Sequence, residues 1–139
     1  MKLSDTIKIQ VPFYDVDSIQ MVWHGHFLKY LEQGRESFGE KYGLEYMFIY
    51  NNGFLAPIAD MHLSYKNSAR FGDVLLVETS FRPSRGAKLI FDYKVVREND
   101  GTLILEATTI QLFVTHDGVF EVSVPDFYAM WKINHEISD

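Results

Sequence analysis

Asp17 and His24 are the residues of this chain whose types and spacing could do chemistry together. The carboxylate closes a stretch that alternates like a strand, and the histidine follows seven positions later, just ahead of a run with helical spacing. The start of a helix leaves backbone N–H groups without intrahelical partners and carries the positive end of the dipole. Such donors can hold an oxyanion that develops on a carbonyl under attack. A carboxylate beside them can act as nucleophile or general base, so the arrangement points to acyl transfer. The commoner duty of a lone aspartate is to cap a loop or a helix. For His24 the backbone N–H is the expected oxyanion donor, and its imidazole could orient a substrate or move a proton. Gly25, lacking a side chain, would let backbone or substrate approach closely, with Trp23 alongside as a positioning group. His24 and His26 form a His-x-His pair, but no further convergent histidine accompanies them, so no metal is expected. His62, His116 and His135 read as ordinary strand, turn and tail residues.

These residues need elements to hold them. In 6–14, Ile7, Ile9, Val11 and Phe13 share one face, which is strand periodicity. Residues 15–23 break the pattern and form a loop. From about 25 to 42, Phe27, Leu31, Gly34, Phe38 and Tyr42 follow steps of three and four, with Lys29, Glu32, Glu36 and Glu40 opposite. Gly43 is placed to end this helix, and Glu32 can pair with Arg35 on its surface. Residues 44–53 read as a short helix and turn. Strand-like runs follow at 54–65, 73–82, 88–97 and 102–115, separated by turn signals such as Asp100-Gly101 and Asp117-Gly118. Residues 119–124 extend the last hairpin. Pro125 then opens a short helix with Phe127, Met130 and Trp131 on its apolar side. One long helix against an antiparallel sheet is an α+β layout in a single domain, 1–139.

Composition narrows the function classes. With 139 residues, 47% hydrophobic and 23% charged, the chain is long enough to bury a core without staples. It has no cysteine, which excludes a disulfide framework, a zinc ribbon and a cysteine nucleophile. The net charge of −6 does not favour nucleic acid or an anionic membrane. Residues 66–97 nevertheless carry seven basic and three acidic side chains, a stretch that could meet a small anion or form solvated strand faces. The opening residues lack the apolar run of a signal peptide, and no stretch is long enough to span a bilayer, so a cytoplasmic protein is expected.

The segment from Phe13 to Glu32 resembles the signature of the 4-hydroxybenzoyl-CoA thioesterase family, the hotdog-fold acyl-CoA thioesterases. Asp15, Asp17, Val22, Trp23, His24, Phe27, Leu31 and Arg35 fall in the matching places. The 66–73 segment is similar to the family's Gly-Asp turn into a later strand. The resemblance implies a hotdog fold, with a sheet of about five strands around the helix. It implies homodimers or homotetramers with active sites at the subunit interface. It also implies hydrolysis of an acyl-CoA by Asp17 and His24 without a cofactor, and leaves Asp15 structural. The acyl pocket is expected to include Phe54, Met61 and Trp23. CoA phosphates are expected at Arg82, Arg85 and Lys88. Two positions depart from the family pattern: Gln20 stands where glycine is usual, and His26 where Asn or Ser is frequent. A hydroxyacyl-thioester dehydratase using Glu32 or Glu36 ranks lower, because both fall on the polar helix face. A non-catalytic binder of acyl thioesters, on CoA or acyl carrier protein, is the alternative of a different class.

Overall fold

A computed structural model describes residues 2–138. The first strand, β1 (Ser4–Gln10), leads through the loop into a single 3-10 turn, His24–His26, and then into the long helix α1 (Phe27–Tyr42). A short helix, α2 (Tyr46–Asn51), follows. The remaining strands are β2 (Phe54–Leu55), β3 (Ile58–Tyr65), β4 (Val74–Arg82), β5 (Lys88–Arg97), β6 (Leu103–Leu112) and β7 (Val114–Thr115), and α3 (Asp126–Asn134) closes the chain. Five strands make one antiparallel sheet in the order β1-β4-β5-β6-β3, while β2 and β7 pair separately.

The helix and the sheet share one core. Phe27, Tyr30, Leu31, Gly34 and Phe38 are the buried stripe of α1, at the spacing the sequence predicts. They meet an inward sheet face that includes Leu75, Val77, Phe81, Leu89, Phe91, Val95 and Leu105. Gly43, at φ 74°, ends the helix in the left-handed conformation expected of it.

Several strands are shorter than their periodicity implies. β1 stops at Gln10, and the Val11 N–H turns to the Asp73 carbonyl at 2.8 Å. Pro12 has no N–H to continue the ladder, and Phe13 leaves the core face to lie 72% exposed in a 3-10 turn, Phe13–Asp15. The 54–65 run is divided at Ala56-Pro57, and the 102–115 run divides into β6 and β7. Of 119–124, the part 119–121 extends the hairpin: Phe120 bridges to Val114, the Thr115 N–H donates to the Val119 carbonyl at 2.8 Å and the Glu121 N–H to the Phe113 carbonyl at 2.9 Å. In α3 the core is met by Tyr128 and Trp131, whereas Met130 faces outward.

The register gives the molecule two distinct ends. Gln10 lies beside Val74, Leu75 beside Arg97, and Leu105 beside Tyr65 at one end. Ser4, Arg82, Lys88, Leu112 and Ile58 mark the other. At a rise of about 1.5 Å per residue, α1 runs roughly 24 Å from the first end toward the second.

Candidate active site

The loop before the helix is built on Asp15. Its side chain is only 2% exposed, yet it is fully partnered. Lys29 Nζ donates to Oδ1 at 2.7 Å and the Tyr30 hydroxyl donates to Oδ2 at 2.6 Å. Burial pushes this carboxyl upward, but the bonds from Lys29 and Tyr30, with the nearby His26, outweigh it and hold it below the ordinary carboxylate range. The Asp15 carbonyl also accepts the Trp23 N–H at 3.2 Å. Asp15 therefore clamps both ends of the loop to α1, the structural duty expected from its place.

Asp17 heads a tight turn. Its N–H donates to the Met21 carbonyl and its carbonyl accepts the Gln20 N–H, each at 2.9 Å. Oδ1 accepts from the Ile19 and Met21 N–H groups at 3.0 and 3.4 Å, the longer of these a weak contact. Oδ2 has no hydrogen bond among the described residues, and the side chain is exposed. The carboxylate thus caps its loop with one oxygen and offers the other to solvent. Gln20, where the family pattern has glycine, adopts φ 67°, which explains the preference for a residue without a β-carbon. Pairing of Met21 with Arg70, and a 2.8 Å bond from the Val22 N–H to the Ala69 carbonyl, fasten the loop to the entry of β4.

His24 and Gly25 begin the helical segment. Neither N–H meets an acceptor among the described residues. The His24 carbonyl accepts the Tyr65 hydroxyl at 3.1 Å, which fixes the helix start to the end of β3. The Trp23 indole lies tilted against the His24 ring and edge-on to the His26 ring, with centroids 4.8 and 5.4 Å away. It also occupies the space a side chain at Gly25 would need, for a β-carbon there would fall 2.1 Å from the ring. What approaches Gly25 closely is therefore Trp23, itself half exposed.

A large cavity lies toward the other end of the sheet. It measures about 800 Å³ and is lined by Phe38, Leu55, Ile58, Leu89 and Phe91 with Arg35 and Gln111. Phe54, Met61 and Trp23 are not among its walls. Phe54 instead packs against Phe113 and Phe127. Glu32 and Glu36, on the helix face that periodicity marks as polar, border this cavity. Arg35 pairs with Glu32 at 2.6 Å, as their spacing predicts, and also interacts with the buried Tyr93. Tyr93 in turn bonds Thr109 at 3.1 Å. Sequence reasoning did not single out Gln111. Its signal was its place two residues after Thr109, on the buried face that also holds Leu105 and Ala107.

The basic residues divide. Arg82 forks onto Asp92, with Nε 2.9 Å from Oδ2, and reaches Thr108. Arg85, Gly86 and Lys88 border a shallower cleft of about 350 Å³ with Phe120 and Val122. Among the described residues, no three His, Asp or Glu side chains come together as metal ligands.

Comparison with known proteins agrees with this architecture. The Thioesterase-like superfamily matches residues 11–131. YneP of Bacillus subtilis (strain 168) is 25% identical, with 90% of this chain and 93% of that protein covered. The 4-hydroxybenzoyl-CoA thioesterase of Pseudomonas sp. (strain CBS-3) is 26% identical over 85% of this chain and 88% of its own. A 1,4-dihydroxy-2-naphthoyl-CoA thioesterase structure from Synechocystis superposes with a TM-score of 0.83 at 19% identity, covering 97% of this chain and 99% of its own. The fold is the hotdog.

Proposed function

We propose that this chain, which belongs to the thioesterase-like superfamily, hydrolyses acyl-CoA thioesters to a free carboxylic acid and CoA. The observation that carries this reading is the pair of unpartnered N–H groups of His24 and Gly25, one short loop away from the carboxylate of Asp17. The thioester carbonyl oxygen accepts from these donors, which stabilise the negative charge that grows on it. Asp17 then acts in one of two ways. As nucleophile it adds through Oδ2 to the carbonyl carbon, the C–S bond breaks, and CoA leaves as thiolate. Water hydrolyses the resulting anhydride. As base it takes a proton from water while the hydroxide adds to the same carbon and the same bond breaks. Both routes end in one acid, one thiol and the regenerated carboxylate.

The full site is a product of two copies. His24 is bonded to Tyr65 and the Asp17 loop is fastened to Ala69 and Arg70, whereas the 800 Å³ cavity reaches Ile58, at the opposite end of β3 from Tyr65. β3 is an edge strand with one side unpaired. A second copy joined antiparallel along that edge brings its cavity to the first copy's Asp17. Arg85 and Lys88 lie at the cavity end, where they would meet the CoA phosphates. The site is thus assembled from one copy's reacting groups and the other's acyl pocket.

The experiment is thiol release from short, long and aromatic acyl-CoAs by wild type and Asp17→Asn. Turnover should fall by about 10²–10⁴-fold in the variant while acyl-CoA binding persists. Binding without any Asp17-dependent turnover in the wild type would instead identify a non-catalytic acyl-thioester binder.

A further inference from the structure

The two N–H groups proposed to hold the oxyanion differ in what lies behind them. Each belongs to a planar peptide unit with a carbonyl oxygen on its far side. A donor to that oxygen polarises the unit and makes its N–H a stronger donor in turn. The His24 N–H shares its unit with the Trp23 carbonyl, which accepts the His26 N–H at 2.9 Å, a bond internal to the turn. The Gly25 N–H shares its unit with the His24 carbonyl. That oxygen accepts the Phe27 N–H and, in addition, the Tyr65 hydroxyl at 3.1 Å. A side chain 41 residues away along the chain therefore bears directly on one of the two donors.

Tyr65 is held for this contact by the sheet. It is the last residue of β3, paired with Leu105, and stands on the same side of the strand as Met61 and Leu63. Its ring lies 5.9 Å from that of Phe27 and meets the His24 ring edge-on at 6.2 Å, centroid to centroid. These ring contacts aim the hydroxyl without depending on it. Burial raises the phenol above its ordinary pKa, so the donor keeps its proton at neutral pH. At 3.1 Å the bond is long for a hydroxyl donor. Negative charge growing against the Gly25 N–H makes the His24 oxygen a better acceptor, and the bond tightens. An interaction stronger in the transition state than in the ground state is the kind that raises kcat. A fixed hydroxyl also needs no reorientation as the charge appears, whereas a water in its place would.

We infer that Tyr65 is a positioning residue for acyl transfer, acting through the His24–Gly25 peptide to orient and strengthen the Gly25 N–H against the oxyanion. This rests on the thioesterase reading and deepens it.

The test is Tyr65→Phe, which keeps the ring and removes the donor. NMR of the unliganded full chain reads the peptide itself. The His24 carbonyl carbon and the Gly25 amide nitrogen should both move upfield, because losing a donor to the carbonyl oxygen shields both, while the retained ring keeps its ring-current shifts. In steady-state kinetics kcat should fall about three- to tenfold, the scale of one hydrogen bond, with KM little changed. The melting temperature should hold, as should affinity for a thioether analogue of the acyl-CoA, which has no carbonyl to meet the Gly25 N–H. Meta-fluorotyrosine at position 65, a stronger donor of nearly the same size, should move both resonances the other way and raise kcat, and it decides alone if Tyr65→Phe does not fold. Unmoved resonances, or an unchanged kcat in folded Tyr65→Phe, overturn the inference. A fall in kcat matched by lost analogue binding or a lower melting temperature overturns it too, since that is the mark of a merely structural contact. Absence of acyl-CoA turnover by the wild type refutes the thioesterase reading itself, whereas wild-type turnover with an indifferent Tyr65→Phe refutes the role of Tyr65 alone.

Discussion

The Trp23 indole lies across the α-carbon of Gly25, so close that a β-carbon there would sit 2.1 Å from Cζ3 and 2.5 Å from Cη2 of the ring. Gly25 bears one of the two free N–H groups proposed to hold the oxyanion, and Trp23 roofs it. The indole is 50% exposed and can swing outward, so Gly25→Ala should leave the melting temperature nearly unchanged. Displacing the ring from the helix start should nonetheless lower kcat/KM about tenfold or more, since small misplacements at a reacting centre are costly. Steady-state kinetics beside a thermal melt separates the two effects.

Asp15 should make the protein sensitive to acid. Its carboxyl is held below the ordinary range, so the unfolded chain binds more protons there than the folded chain does. The resulting stability is complete above an unfolded carboxyl pKa of about 3.9 and is lost as pH falls through the lower folded value. Asp15→Asn should cost about 2–3 kcal/mol at neutral pH, in line with loss of hydrogen bonds to a buried charge. The difference from wild type should shrink in the acid window. Urea unfolding from pH 7 down to pH 3 tests this, and a pH-independent gap would count against it.

Gln20 stores strain in the Asp17 loop. A non-glycine residue at φ 67° costs about 1–3 kcal/mol. Gln20→Gly relieves this while giving back about 0.4–1 kcal/mol through the freer unfolded chain. The net expectation is a gain of up to about 1 kcal/mol, read from chemical denaturation. A loss of stability would show that the Gln20 side chain contributes more than the strain removes.

Gly34 sets how near α1 comes to the sheet. A β-carbon at this position would lie 2.6 Å from Thr79 Oγ1 and 3.0 Å from Val77 Cγ1, both on buried side chains of β4. Both side chains are buried, so Gly34→Ala must turn Thr79 into its packed surroundings or lift the helix. Overpacking of this kind costs about 1–3 kcal/mol, against a helix-propensity gain of about 1 kcal/mol. Thermal unfolding should show net destabilisation. The spectra of the variant's core aromatics should shift as well.

The sequence by itself determined what depends on near neighbours along the chain. The step of three and four in Phe27, Leu31, Gly34 and Phe38 specifies a buried helix stripe, and Gly43 ends it because its φ of 74° suits glycine. The loop of Asp15 and Asp17 was legible for the same reason, since its bonds mostly close within a few residues or reach the next helical turns. The limits of β1 and β3 were less legible, because prolines end ladders that side-chain alternation would continue. Pairings between distant strands were decided only by the tertiary structure. Arg82, read as a CoA ligand, is forked onto Asp92 and reaches Thr108, partners that only the sheet register brings alongside. Periodicity put Glu32 and Glu36 on the exposed face, where they stand, but only the packing of α2 and the β2–β3 segment made that face the rim of a cavity. Gln111 was hidden for the same physical reason. A glutamine in a strand signals nothing locally, and its unmatched oxygen exists only because folding supplied one partner, at Ala56, and withheld the other.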